Sequence, residues 1–278
     1  MKRFINFLKT RKAVFWYRVI ILVCILIFAG SLTKLIMIFH EYNSAVSEYS
    51  DIENEFAVEI SDDTTGAAIV SEESIEVEQT DENGKKSTFV FKPLSVDFDS
   101  LKKTNKDVIG WIQFETFNLS YPIVKDSGDN YYLNHTFKKQ KNSSGSIFIG
   151  PANNSNFQDT NTIIFGHNMK NGSMFGLLGR YKEKAYFQYN QYFRIYTPDG
   201  TQRYQIFSVY KAPVNGSAYS IWSRTGGTEY ANWIKELKKN SMYDTGVSVS
   251  ENDSIVTLST CVTGEDSKRL VVQAKRIQ

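Results

Sequence analysis

The spacing of apolar positions changes character along the chain. From Val19 to Leu32 no charge interrupts the sequence, and the stretches 13–17 and 35–39 on either side are equally apolar. With Arg18 and Lys34 reaching to the two interfaces, the run spans about 27 residues, enough for one transmembrane helix. Beyond residue 89 the runs are short, rich in β-branched and aromatic residues, and separated by Gly, Asn, Asp and Pro. They predict strands over 108–114, 119–124, 145–149, 162–165, 192–197, 203–210, 254–260 and 269–274. Eight short strands imply a sandwich or a barrel. Two stretches keep a helical period instead. In 228–240, Tyr230, Trp233, Ile234 and Leu237 fall at i, i+3, i+4 and i+7. Glu229 stands in the first turn and Lys235, Lys238 and Lys239 toward the last, so the apolar face and the helix dipole agree. That face reads as core packing against the strands. A shorter helix is predicted over 98–103. The fold class is therefore mainly β with accessory helices, preceded by one transmembrane helix.

Charge divides the chain the same way. Residues 1–40 hold seven Lys/Arg and no acid, residues 41–88 hold fourteen Asp/Glu against two Lys, and residues 89–278 hold 23 Lys/Arg against 16 Asp/Glu. Lys2, Arg3, Lys9, Arg11 and Lys12 precede the apolar run while His40 and Glu41 follow it, so the positive-inside rule puts the N-terminus in the cytoplasm and the rest outside. Phe15, Trp16 and Tyr17 suit an aromatic belt, and no small-x-small cleavage site follows the run, which favours a retained signal-anchor in the cell membrane. The acidic stretch 41–88 is poor in aromatics and reads as an extracellular stalk, with continuation of the helix through 41–56 as the alternative. Residues 89–278 are the folded domain. Its positive balance comes with no nucleic-acid motif, so a nucleic acid partner is not implied.

Of two cysteines, Cys24 lies in the apolar run and Cys261 in the folded domain, so no disulfide can form within that domain. An unpaired thiol outside the cell is a buried apolar residue, an intermolecular crosslinker or a reactive group. In "SIVTLSTC" the strand period turns Thr257, Ser259 and Cys261 to one face and Val256 and Leu258 to the other. If "VTGEDSK" is the whole connection to the returning strand "RLVVQAK", Arg269 stands opposite Cys261, about 5 Å away at the backbone. A guanidinium there favours a thiolate and can stabilise an oxyanion on an attacked carbonyl. The bland alternative is a buried cysteine beside a solvated arginine. Three histidines are available as a base. His40 borders the apolar run and His135 sits in the polar "YYLNHTFKKQ". His167 follows the apolar strand of "NTIIFGHNMKNGSMFG" through a single glycine and emerges at a strand end ahead of a loop, where reactive side chains are commonly presented. It suits acyl transfer with a cysteine nucleophile, or else it caps local backbone.

These motifs together resemble the sortases, membrane-anchored cysteine transpeptidases of Gram-positive bacteria. "TLSTC" fits their Thr-Leu-x-Thr-Cys signature one hairpin from the C-terminus, and the order His, Cys, Arg fits as well. "DVIGWI", "YYLNHTFKK", "GSIFI", "IFGHNMKNGSMF" and "KRLVVQAK", with the long helix before the last hairpin, are similar to the class B branch over about residues 96–277. The resemblance implies a closed eight-stranded sortase-type β-barrel with Cys261 as nucleophile, His167 as general acid/base and Arg269 as their positive partner. It implies no metal or cofactor. The partners it implies are secreted surface proteins bearing a C-terminal sorting signal, cleaved after Thr, and an amine of the peptidoglycan cross-bridge or its precursor. Ser259, Leu133, Tyr219 and Ile221 are similar to positions that line the substrate groove. The sequence departs from class B at Val262, where an acidic residue can stand, and at "GPANN" after "GSIFI"; both bear on substrate preference.

Three other functions fit parts of the same pattern. A pilin-polymerising sortase would use a lysine amine as acceptor, and a cell-wall cysteine hydrolase would use water. Papain-like hydrolases place the cysteine before the histidine and on a helix, the reverse of the order here. A surface-anchored binding module would keep the β-structure without the chemistry.

Overall fold

The computed structural model describes residues 11–60, 75–80 and 86–278. By its internal contacts the chain divides into Met1–Ser44 and Ala45–Gln278. Helix α1 (Arg11–Phe56) is long and apolar enough to cross a membrane. In the first unit many of its apolar side chains are exposed, and Phe15, Trp16, Leu26, Phe28 and Phe39 are each more than half exposed.

The helix does not end with the apolar run. In the second unit Ala45, Tyr49, Ile52 and Phe56 recur at helical spacing and are buried, while Asp51 and Glu55 are exposed. Residues 41–56 thus follow the helical alternative to a stalk, because their few apolar side chains share one face. Two strand pairs come next, in the region where composition suggests no structure. β1 (Ala57–Glu59) pairs with β4 (Leu94–Val96), and β2 (Ile75–Thr80) with β3 (Lys86–Phe91), both antiparallel. Such short strands owe their existence to a backbone partner more than to their own pattern.

The other eight strands are β5 (Val108–Phe114), β6 (Ser120–Lys125), β7 (Ile147–Ile149), β8 (Asn161–Phe165), β9 (Tyr192–Thr197), β10 (Gly200–Pro213), β11 (Ile255–Val262) and β12 (Glu265–Arg276). They close into a barrel in the order β10-β12-β11-β8-β7-β6-β5-β9. The pairs β6·β7 and β8·β11 are parallel and the rest antiparallel, so this is a mixed barrel of the expected strand number. The strands differ from the sequence reading mainly at their ends. β7 starts late because Gly145 takes a left-handed φ of 57°. β10 and β12 run longer because each supplies the other's hydrogen bonds out to Pro213 and Lys268.

The core is built from both sheet faces and the helices laid on them. Trp111, Ile112, Ile123, Ile164, Ile195, Val209, Leu258 and Val272 are almost completely buried. α2 (Phe98–Thr104) is capped by the Asp97 carboxylate, which accepts from Ser100 N–H at 3.0 Å, and buries Phe98 and Leu101. α3 (Lys184–Tyr189) is a short helix with Phe187 buried. α4 (Thr228–Asn240) buries the predicted stripe Tyr230, Trp233, Ile234 and Leu237. Each such side chain contributes about 1.5–3 kcal/mol. Ser208 on β10 donates to the Leu237 carbonyl at 2.7 Å, and the Trp233 indole donates to the Ser217 carbonyl at 2.7 Å. α4 therefore fixes both the barrel wall and the segment that begins at Ser217.

Candidate active site

β8 and β11 run parallel and reach the same lip of the barrel, with Phe165 paired to Ser259 as their last registered pair. Past that pair, the two chain segments leaving the strands are tied to each other. Gly166 N–H donates to the Ser259 carbonyl at 3.2 Å, the Thr260 hydroxyl donates to the Gly166 carbonyl at 2.8 Å, and the Asn168 side-chain amide donates to the Cys261 carbonyl at 3.0 Å. A Cβ on Gly166 would lie 2.5 Å from Ile147 and 2.7 Å from the Phe175 ring, so only glycine lets the chain pass. His167 and Cys261, distant in sequence, thus leave the barrel together.

The register of the last hairpin explains why the thiol is accessible. Cys261 stands directly opposite Arg269, but the next pair is Val262 with Glu265, so Asp266, Ser267 and Lys268 drop out of register with β11. They stay with β10, where Lys268 pairs with Pro213 and Val214 N–H donates to the Ser267 carbonyl at 3.1 Å. The turn itself is Thr263 and Gly264, the latter at φ 79°, in place of the seven-residue connection the sequence suggested. The departure opens the lip beside Cys261, which is exposed between the buried Thr260 and Val262. Arg269 is aimed by the same bulge, its Nη1 donating to the Asp266 and Lys268 carbonyls at 2.9 Å each. Glu265 pins the turn through ion pairs to Lys211 and Lys268, and the Lys211 hydrogen bond holds its carboxyl below the usual range.

His167 is held as firmly. Its Nε2 lies 2.6 Å from the Leu133 carbonyl, which can only accept, so Nε2 carries a proton and Nδ1 is the basic nitrogen. The loop after it is closed by Phe175 N–H donating to the His167 carbonyl at 2.9 Å and Met174 N–H donating to the Tyr121 hydroxyl at 3.0 Å. His167 does bind backbone, as the bland alternative held, but the backbone belongs to another loop. A cavity of about 520 Å³ opens over the lip, and its lining includes His167, Cys261, Arg269, Ser259, Leu133, Tyr219 and Ile221. Every site residue singled out from the sequence is therefore on one wall or another of a single cleft.

The sortase domain family matches residues 112–277 of this chain, from β5 to the last residue but one. The chain belongs to the sortase family. Sortase B of Listeria monocytogenes is 36% identical over 179 residues, 64% of this chain and 72% of that protein. Sortase B of Staphylococcus aureus is 32% identical over 183 residues, 65% of this chain and 75% of the other. The structure of sortase B from B. anthracis superposes with a TM-score of 0.67 at 28% identity, covering 87% of this chain and all of that one. The resemblance to class B holds, and with it the reaction type, a sortase B cysteine transpeptidase.

The groove walls of this sortase rest on residues the sequence reading passed over. Asn161, fully buried at the start of β8, donates from Nδ2 to the Ala218 carbonyl at 2.9 Å and the Ser220 carbonyl at 3.0 Å, on either side of Tyr219. Its Oδ1 accepts from the Thr257 hydroxyl at 2.8 Å, which in turn accepts from Gln273 Nε2 at 3.1 Å. Thr257 and Ser259 on this face of β11 are thus buried, while Cys261 at its end is exposed. Thr160 adds a second anchor, its hydroxyl accepting from Trp222 N–H at 2.8 Å. The Tyr219 hydroxyl shares a 2.9 Å hydrogen bond with Ser259. Burial pushes that phenol's pKa up, against the opposing pull of Ser259 and the Arg269 charge, which keeps it neutral. On the facing wall the Lys125 ammonium donates to the carbonyls of Gly150, Pro151 and Asn153, holding the "GPANN" segment in place. One clue to Asn161 was legible: a polar side chain opening an otherwise apolar strand has to be hydrogen-bonded once buried. Nothing local marks Lys125 or the Leu133 carbonyl.

Proposed function

We propose that this sortase cleaves a C-terminal sorting signal after threonine and transfers the protein to an amine of cell-wall peptidoglycan. The observation that carries the reading is the convergence of Cys261, His167 and Arg269 on one cleft, with the thiol exposed and Arg269 paired with it at the backbone across the hairpin. Cys261 sulfur attacks the threonyl carbonyl, and Arg269 stabilises the oxyanion or the thiolate that precedes it. The C–N bond breaks as His167 gives a proton to the leaving amine, which leaves a thioester on Cys261. An incoming amine attacks that thioester, passes a proton to His167 and expels the sulfur, forming a new amide. No energy source is needed, because the thioester keeps the acyl-transfer potential of the broken bond. Ser259, Leu133, Tyr219 and Ile221 line the groove that receives the signal, and class B kinship favours one of the Asn-Pro-x-Thr-Asn kind. The long apolar helix and the basic residues before it support a single-pass anchor in the cell membrane with the N-terminus cytoplasmic, residues 1–40 forming tail and anchor and the barrel lying outside.

The test uses the full chain in detergent, a panel of sorting-signal peptides and an oligoglycine or diaminopimelate amine, with mass spectrometry of products and enzyme. The expected result is an adduct on Cys261 that passes to the amine, absent in Cys261→Ala and severely reduced in His167→Ala and Arg269→Ala. Transfer to a lysine-bearing pilin peptide alone would favour polymerisation. Cleavage with water as the only acceptor would favour a hydrolase, and no adduct with any peptide would leave a binding module.

A further inference from the structure

We infer that Tyr49 and Glu48, on the last turns of α1, are positioning residues for His167, acting through the two loops that hold its ring and its backbone. The inference rests on His167 being the acid/base of the reaction. The first route runs to the ring. The Tyr49 hydroxyl, on a side chain only 5% exposed, donates to the Gly145 carbonyl at 2.7 Å and accepts from Phe137 N–H at 3.2 Å. Gly145 lies against the very carbonyl that orients the histidine: a Cβ there would stand 2.7 Å from the Leu133 oxygen and 2.5 Å from that of Tyr132. The Leu133 oxygen in turn accepts from His167 Nε2 at 2.6 Å. Glu48 steadies the same segment, its carboxylate accepting from the Thr136 hydroxyl and from Lys138 N–H at 2.9 Å each.

The second route runs to the loop. The Tyr49 ring packs edge-on against Tyr121, with centroids 5.3 Å apart. The Tyr121 hydroxyl accepts from Met174 N–H at 3.0 Å, and Met174 bridges back to Asn168, the neighbour of His167. One helix face therefore bears on both ends of the histidine's support. These contacts are in excess of what docking a helix requires. Ala45, Ile52 and Phe56 already supply a buried apolar face, and what the Tyr49 hydroxyl and the Glu48 carboxylate add to it is their hydrogen bonds.

The test reads Cys261 directly and needs no sorting signal. Full-length protein in detergent is alkylated with iodoacetamide between pH 5 and 9, and the peptide bearing Cys261 is followed by mass spectrometry, separately from the one bearing Cys24. His167→Ala defines the profile of a thiol without its partner. Tyr49→Phe keeps the ring against Tyr121 but removes the hydroxyl, and is expected to lower the neutral-pH rate about fivefold, the worth of one net hydrogen bond, and to move the profile toward that of His167→Ala. Ile52→Val loosens the same helix at a side chain that makes none of these hydrogen bonds, and is expected to lower the melting temperature while leaving the profile native. Glu48→Gln, which keeps an acceptor oxygen, is expected to fall between the native protein and Glu48→Ala. A native profile in Tyr49→Phe and Glu48→Ala alongside an altered one in His167→Ala overturns the inference. So does an equal change in Ile52→Val, since that makes the helix a mere structural support. A native profile in His167→Ala would overturn the His167 assignment itself, and this inference with it.

Discussion

Replacing Asn161 with alanine tests whether the groove wall is held by a buried polar chain. The side chain makes three hydrogen bonds, to the carbonyls of Ala218 and Ser220 and from the Thr257 hydroxyl. At about 1 kcal/mol net each, their loss costs about 3 kcal/mol, rising toward 5 if the orphaned groups stay dry. For a domain of this size that is a drop of about 6–12 °C in melting temperature. Thr257→Val loses the bond to Asn161 and the acceptor for Gln273, about 2 kcal/mol. The two changes share one bond, so the double variant should cost about 4 kcal/mol, about 1 less than the sum of the two singles. Thermal denaturation measures the cycle, and limited chymotrypsin digestion reports on the freed segment by new cleavage after Tyr219 or Trp222. Strict additivity, or an Asn161→Ala protein with a native melting temperature and no new cleavage, would refute the network as the support of Tyr219.

Glu53 is half-buried, and desolvation raises its pKa above the ordinary 4.5 against the pull of a Ser120 hydrogen bond. The folded state then holds the proton more tightly than the unfolded one, so this stabilisation is full below pH 4.5 and is lost as pH rises through the raised value. Glu53→Gln should therefore melt with the native protein near pH 4 and above it at pH 7; a difference that does not grow with pH counts against burial as the cause. Asn168→Ala removes the tether between the histidine loop and the Cys261 carbonyl. Adduct formation on Cys261 should slow about tenfold with the melting temperature changed by less than about 2 °C, and an unchanged rate would show that the other two lip bonds suffice. Lys125→Met strips a charged donor from three carbonyls and should destabilise by about 2 kcal/mol in urea titration, with a raised KM for a cleaved peptide. Native KM together with lost stability would confine Lys125 to a structural role.

Much of this architecture is legible in local pattern. An uninterrupted apolar run, eight β-rich stretches and a four-residue helical stripe each report on a single element, because burial imposes the period of that element on its own sequence. Hairpin register is only partly local: a seven-residue connection also sets Arg269 opposite Cys261, but in the structure a two-residue turn and the splay of residues 266–268, which no local pattern marks, produce that pair and expose the thiol. What only the tertiary structure decided is non-local. The parallel pairing of β8 with β11 sets His167 beside Cys261, and barrel closure buries Asn161 where its amide must hold the Tyr219 segment. The acidic composition of 41–56 likewise concealed a helix face that packs only because a partner surface exists for it. Periodicity records which side of an element is covered. What covers it depends on chain segments far away in sequence, and only their packing supplies the partner.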